Sequence, residues 1–174
     1  CCPDEESRNR VKFYATQARD QAPHYEHTRI GYNYRLSNVC AGIGRGQMLS
    51  LPSFLEKRRG IHEEYRRRLS GVPGLSLLEN PDSRYHSNHW LTCVQVNPEE
   101  ARFDRETLRL ALQKAGVESR PLWKPLHLQP VFRSCPFYGS GVSDRLFEEG
   151  LCLPSGASLA GEDMDRIIDV LLNL

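Results

Sequence analysis

The chain has 174 residues, 39% of them hydrophobic and 26% charged, with a formal net charge of +1. A chain of this size buries roughly 70% of its unfolded surface, so it supports a core, and the composition excludes a collagen-like or disordered polypeptide. No apolar run approaches the ~20 residues of a membrane span, and the balanced charge argues against nucleic-acid or membrane-surface binding.

The chain opens Cys1-Cys2-Pro3-Asp4 and reads as starting inside a longer protein. Its six cysteines are scattered, and Cys40, Cys93 and Cys152 sit among apolar residues, where a thiol behaves as a small hydrophobe. That usage points to a reducing, cytoplasmic setting rather than a disulfide scaffold.

Asp4 to Gln17 has helix character, with Val11, Tyr14 and Ala15 on one face and Phe13 beside them. Arg19 to Arg29 breaks that period with Pro23, His24, Tyr25 and His27 and reads as a polar loop. Gly31 to Arg35 continues it. Ser37 can cap a helix through Cys40, Ile43 and Gln47. Its glycines at 42, 44 and 46 cost about 1 kcal/mol each relative to Ala and suggest close packing against another backbone. Pro52, with Ser53 and Glu56 spaced as a capping box, marks a second helix bearing Phe54, Ile61, Tyr65 and Leu69. Glu63 with Arg67 and Glu64 with Arg68 are i,i+4 pairs, and Gly71 and Pro73-Gly74 end the helix.

From Leu75 the pattern changes. Leu75 to Leu78 reads as a strand, and Ser87 to Val96 alternates with Trp90, Thr92, Val94 and Val96 on one face. Asp104 caps a helix carrying Leu108, Leu112 and Ala115, closed by Gly116. Val117 to Leu122 is a strand, Trp123 to Gly141 a proline- and aromatic-rich loop, and Ser143 to Gly150 a short helix. Leu151 to Leu153 is a buried strand, and Gly161 to Leu172 a final helix with Met164, Ile167, Ile168 and Leu171 inward. The order predicts a small α+β lobe with a mainly antiparallel sheet.

Few residues suggest chemistry by spacing. His24/His27 and His86/His89 lack the further ligands a zinc site needs, so no metal is assigned. No Gly-x-Ser-x-Gly elbow and no phosphate loop occurs, and Gly42-x-Gly44-x-Gly46 has the wrong frame for a dinucleotide fingerprint. Arg66-Arg67-Arg68 reads as a solvated face neutralised by Glu63 and Glu64. Two segments are richer: Arg29 to Arg35, and Arg120-Pro-Leu-Trp-Lys-Pro-Leu-His-Leu-Gln-Pro130. The second sets Arg120, Trp123, Lys124, His127 and Gln129 in a proline-braced stretch. Cations beside an aromatic plane suit a phosphorylated, ring-bearing ligand; the alternative is a surface loop whose Trp123 packs on the core.

At these segments the sequence resembles a known family. "ATQARDQAPHYEHTRIGYNYRLSNVCAGIGRGQ", "SRPLWKPLHLQPVF" and "LFEEGLCLPSG" resemble the DegT-type, pyridoxal-phosphate-dependent nucleotide-sugar aminotransferases, and most of all those that aminate UDP-4-keto-6-deoxy-N-acetyl sugars, as in bacillosamine and exopolysaccharide synthesis. The resemblance implies an α/β, fold-type I transferase working as a homodimer. Residues 1–52 would be the tail of the large cofactor domain, 53–70 the connecting helix and 71–174 the small domain. Asn33 and Arg35 would contact pyridoxal 5′-phosphate across the subunit interface, and Tyr25, His27, Trp123, Lys124, His127 and Gln129 would line the UDP-sugar site, with an amino acid such as glutamate as donor. The departure is large. None of Lys12, Lys57, Lys114 and Lys124 matches the lysine that carries the cofactor, so the resemblance places no catalytic residue in this chain and implies the C-terminal half of an enzyme, inactive alone. The alternative is a non-catalytic binding or assembly module that pairs with a separate cofactor-bearing half.

Overall fold

The computed structural model describes residues 1–174, which divide into two compact units, Cys1–Leu51 and Pro52–Leu174. In the first unit, helix α1 (Glu5–Ala15) begins where Asp4 accepts the Ser7 N–H at 2.6 Å, the cap the sequence supplies. It ends in an unusual turn: Gln17 and Ala18 both take positive φ, 70° and 49°. That conformation costs a non-glycine residue about 1 kcal/mol or more and persists only where surrounding bonds hold it. Here Ala18 N–H donates to Phe13 at 2.9 Å and Gln17 N–H to Tyr32 at 3.1 Å, while Thr16 and Asn33 form an antiparallel bridge. Gly31 is required opposite this turn, because a Cβ there would lie 2.6 Å from the Ala18 nitrogen. Ala18 is the one fully buried hydrophobic residue of the unit.

Helix α2 spans Asn38–Leu69, with Ser37 Oγ accepting the Cys40 N–H at 3.1 Å. The helix expected to start at Pro52 therefore does not start there: Pro52 lies inside α2. Proline forfeits one i→i−4 bond at about 3 kcal/mol, yet its fixed φ is helical, and helix-favouring sequence on both sides carries the backbone through. A Cβ at Gly42, Gly44 or Gly46 would meet nothing within 4 Å beyond its own helix, so the close packing expected for them is not made within this chain. Cys40, read as an apolar-site thiol, is exposed, as is Val11 of α1.

The second unit holds the core. Its sheet has the order β1-β2-β4-β3, every neighbour antiparallel: β1 (Leu75–Leu77), β2 (Thr92–Val96), β3 (Arg120–Pro121) and β4 (Gly150–Leu153). Thr92 faces Leu153 and Val94 faces Leu151 across the β2–β4 pair, so these side chains share one face. That face packs with Leu108 and Leu112 of α4 (Arg105–Lys114), with Ile167 and Leu171 of α6 (Gly161–Leu172), and with Tyr65 and Leu69 of α2. Tyr65 O–H donates to Pro154 at 3.0 Å, satisfying the one polar atom of a fully buried ring. Asp104 caps α4 by accepting the Thr107 N–H at 2.7 Å, as the sequence predicts. Between β2 and α4 lies a helix the spacing did not reveal, α3 (Pro98–Ala101), although Asn97-Pro98-Glu99 carries a cap, a first-turn proline and an acid.

The expected strand Leu75–Leu78 loses only Leu78, and two others shorten further. Ser87–Leu91 stays outside β2, because Ser87 Oγ and Asn88 Oδ1 capture the His89 and Trp90 N–H groups and His89 sits at φ 44°. Trp90, expected on one face with Thr92, Val94 and Val96, is 59% exposed while those three are buried. Val117–Leu122 narrows to Arg120–Pro121, where proline offers no N–H to the ladder. The arginine run is neutralised nearly as read: Arg67 and Arg68 bond Glu64, but Glu63 pairs with Arg66, one residue nearer than expected.

Candidate substrate and cofactor site

In the second unit the site is built from the β3–β4 edge outward. Leu122 N–H donates to Gly150 at 3.2 Å, extending the pairing to the residue before Trp123. Gly150 is needed here, since a Cβ would run into the Leu146 carbonyl oxygen as well as the Leu122 side chain. Trp123 emerges 66% exposed, its ring centroid 6.2 Å from that of Trp90 at an interplanar angle of 39°. It does not pack on the core. Trp90 is pinned through its carbonyl, which accepts a 2.6 Å bond from Arg58 of α2. The two rings border a recess of about 680 Å³ whose walls include Val117, Arg120, Cys152 and Arg166. Arg120 pairs with Glu118 at 2.6 Å and Arg166 with Asp163 at 3.2 Å, so neither cation there is uncompensated.

After Trp123 the chain turns through two single 3₁₀ turns, Leu126–Leu128 and Pro130–Phe132. Lys124 is exposed, and its carbonyl accepts the Gln129 amide at 3.5 Å, so Gln129 braces the loop from within. His127 stacks on Phe137, centroids 3.7 Å apart. Its Nε2 lies 2.7 Å from Asp144 Oδ1, with the carboxylate off the ring N–H axis, a close polar contact rather than an aligned hydrogen bond. Spacing alone missed Trp90, Phe137 and Asp144. The signal for Asp144 is its position at the start of α5 (Val142–Glu149); nothing in the sequence ties it to His127.

In the first unit, Asn33 Oδ1 accepts the Arg35 N–H at 3.1 Å, which leaves the Asn33 amide nitrogen to donate elsewhere, and the Arg35 side chain is exposed. Tyr25 is exposed under the Arg19 guanidinium, 4.1 Å from its ring centroid. His27, also exposed, folds back onto its own loop: Nδ1 lies 3.0 Å from the Gln17 carbonyl and 3.3 Å from that of Ala18. It thereby holds the left-handed turn, beside a recess of about 410 Å³ formed with Thr28 to Gly31. His24 sits 2.8 Å from Glu26, and His89 stacks on buried His62 at 3.7 Å, where burial and the His62 charge push its pKa down.

Among known proteins, the sequence matches the DegT/DnrJ/EryC1/StrS aminotransferase family over residues 1–172. The chain belongs to that family. It is 39% identical over 98% of its length to EpsN of Bacillus subtilis (strain 168), named as a pyridoxal phosphate-dependent aminotransferase, of which it covers 44%. It is 29% identical to the GDP-perosamine synthase of Vibrio cholerae over 86% of this chain and 40% of the relative. Of solved structures, the aminotransferase TlmJ of Streptoalloteichus hindustanus superposes with a TM-score of 0.79 at 28% identity, over 99% of this chain and 46% of that one. DesV of S. venezuelae follows at 0.73 and 26%, over 98% and 44%. The α/β architecture is thus that of the family, and this chain spans under half the length of these relatives. Pyridoxal phosphate is the cofactor of DegT-family aminotransferases. The Asn33 amide and the Arg35 guanidinium, a neutral donor and a fixed cation, suit its phosphate. All four lysines of the chain are exposed.

Proposed function

We propose that this chain is the C-terminal portion of a pyridoxal phosphate-dependent aminotransferase that aminates a nucleotide-linked keto sugar, a UDP-4-keto-6-deoxy sugar with glutamate as donor. Residues 1–52 belong to its cofactor domain, 53–70 to the connecting helix and 71–174 to its small domain. The observation that carries this reading is the Trp90–Trp123 recess with exposed Lys124 next in the chain to Trp123: exposed ring planes followed by a cation match a base followed by phosphates. The nucleotide-sugar product named for the perosamine synthase relatives supports the substrate class.

Pyridoxal phosphate, when bound, would carry the amino group between donor and sugar. This chain's part is positioning. Asn33 and Arg35 hold the cofactor phosphate in a homodimer, at the partner subunit's site. Trp123 stacks on the base and Lys124 meets the diphosphate. His127, fixed by Phe137 and Asp144, faces the ligand. Tyr25 lines the site, and His27 and Gln129 serve it by holding the backbone of their loops. None of the four exposed lysines takes the cofactor, so the chain alone does not transaminate.

Incubating the purified chain with pyridoxal phosphate, then borohydride, is expected to leave no stoichiometric adduct at any single lysine. Titration with UDP is expected to quench tryptophan fluorescence and to lose most of that response in Trp123→Phe. A stoichiometric reduced adduct at Lys124, or an equal UDP response in Trp123→Phe and the parent chain, would overturn the assignment of roles.

A further inference from the structure

Outside the residues given a role above, the chain carries a second reactive arrangement. Cys93 and Cys152 stand directly opposite each other on β2 and β4, the two central strands, with their sulfurs 3.8 Å apart. We propose that this pair is a site of reversible thiol oxidation, at which a hydroperoxide closes a disulfide between the two strands.

Backbone geometry already meets the demands of such a bond. Residues paired across an antiparallel ladder have Cα atoms about 4.5–5.5 Å apart, inside the roughly 4.4–6.8 Å window of disulfides. Side-chain rotation alone must bring the sulfurs from contact to bonding distance, so neither strand has to move. The other four cysteines, Cys1, Cys2, Cys40 and Cys135, are exposed and lack this paired setting. Access comes from one side: Cys152 is otherwise buried but forms part of the wall of the 680 Å³ recess, wide enough for a small peroxide.

The recess assigns the two roles: Cys152 is on its wall, where a peroxide arrives, and Cys93 is not, so Cys152 reacts first and Cys93 resolves, although either sulfur can donate to the other. With Cys93 S–H donating to the Cys152 sulfur, the thiolate is favoured on Cys152, while burial and the same bond push the Cys93 thiol up. The Cys152 thiolate attacks the outer oxygen of the hydroperoxide. The O–O bond breaks, the remaining alkoxide or hydroxide takes up a proton, and Cys152 becomes a sulfenic acid. The Cys93 sulfur then attacks the Cys152 sulfur, and its proton leaves with the expelled hydroxyl as water. Two thiols and one hydroperoxide become one disulfide, one water and one alcohol, or a second water when the oxidant is hydrogen peroxide. The two electrons lost by sulfur reduce the peroxide.

The test uses the folded chain with Cys1, Cys2, Cys40 and Cys135 replaced by Ser, treated with hydrogen peroxide. The expected product has lost two hydrogens in mass and both alkylatable thiols together. It yields a Cys93–Cys152 linked peptide on digestion, is restored by dithiothreitol, and melts several degrees higher than the reduced chain. Cys93→Ser in that background should leave a sulfenic acid at Cys152, trapped by a cyclic 1,3-dione. Thiols that stay alkylatable at peroxide levels that oxidise Cys40 in the parent chain would overturn the proposal. So would added oxygens on either residue in place of the linkage. Digestion of the unsubstituted chain after the same treatment reads the same linkage should the serine replacements disturb folding.

Discussion

The two units use the same kinds of residue to opposite ends. In Pro52–Leu174, Val94, Val96, Leu108, Leu112, Ile167 and Leu171 are lost from solvent in one cluster. In Cys1–Leu51, Ile30 is 85% exposed, Leu49 82% and Val39 72%, and only Ala18 is fully buried. Apolar content alone therefore does not make a core. The second unit closes its sheet with α4 and α6 from its own sequence. The first has helices and a braced turn but no surface of its own to receive their apolar side chains. Exposed apolar area on this scale marks a surface for other polypeptide, and the proposed aminotransferase assigns it to the rest of the enzyme and its second subunit.

The sharpest way to break this comparison is to truncate side chains in both units. Ile167→Ala or Leu112→Ala should cost about 2–5 kcal/mol in denaturant unfolding, the usual loss for a large buried aliphatic. Ile43→Ala, on the exposed stretch of α2, should stay within about 0.5 kcal/mol. Equal losses at Ile43 and Ile167 would show that the first unit has packing of its own. Hydrogen exchange checks the same point without mutation, with slow amides expected in β2 and β4 and fast ones through residues 19–30.

The one packed spot of the first unit provides the next test. Gly31→Ala places a methyl 2.6 Å from the Ala18 nitrogen, and overpacking of this kind costs roughly 1–3 kcal/mol. The expected readout is local: loss of exchange protection at the Gln17 and Ala18 amides, with the melting of the second unit unchanged. A smaller, purely polar change probes the second unit. Tyr65→Phe removes the bond to the Pro154 carbonyl while keeping the ring, and should cost about 1 kcal/mol.

What the sequence made legible follows the same division. The caps at Ser37 and Asp104, the last helix and its four inward residues, and the antiparallel sheet were readable, because each rests on local chemistry or on a period set by burial. Pro52 and Ser87–Leu91 misled, because there two local signals compete. A helical φ competes with a missing N–H at Pro52, and an alternating pattern competes with side chains that capture the backbone at Ser87 and Asn88. The candidate site was legible as residue types and not as geometry. Trp123, Lys124 and His127 stood out in the proline-braced segment. That Trp90 meets Trp123, that Asp144 meets His127 and that His27 folds back onto the Gln17 carbonyl depend on contacts across 10 to 33 residues, which no spacing rule encodes. The glycines of α2 gave a packing expectation that the chain by itself leaves unmet.

The smallest expected effect concerns charge, and it too separates the units. Glu64 accepts from Arg67 at 2.6 Å and from Arg68 at 2.5 Å, and these guanidinium bonds hold its carboxyl down at about 2, against an ordinary 4.5. A carboxylate with a lowered folded-state pKa contributes stability that is complete above its unfolded value and disappears as pH falls through the folded one. The second unit should therefore lose a small increment of stability between about pH 4.5 and pH 2. That increment should be absent in Glu64→Gln and shrink in molar salt, because the pair is partly exposed and screened. Arg68 also reaches Asp165 of α6 at 2.5 Å, so the bridge ties the end of α2 to the core helix beside it. A melting curve for Glu64→Gln with the same acid limb as the parent would place the pH dependence elsewhere. Loss of that limb would show that the charged end of α2 is coupled to the packing of the second unit, which no ion pair in the first unit can report.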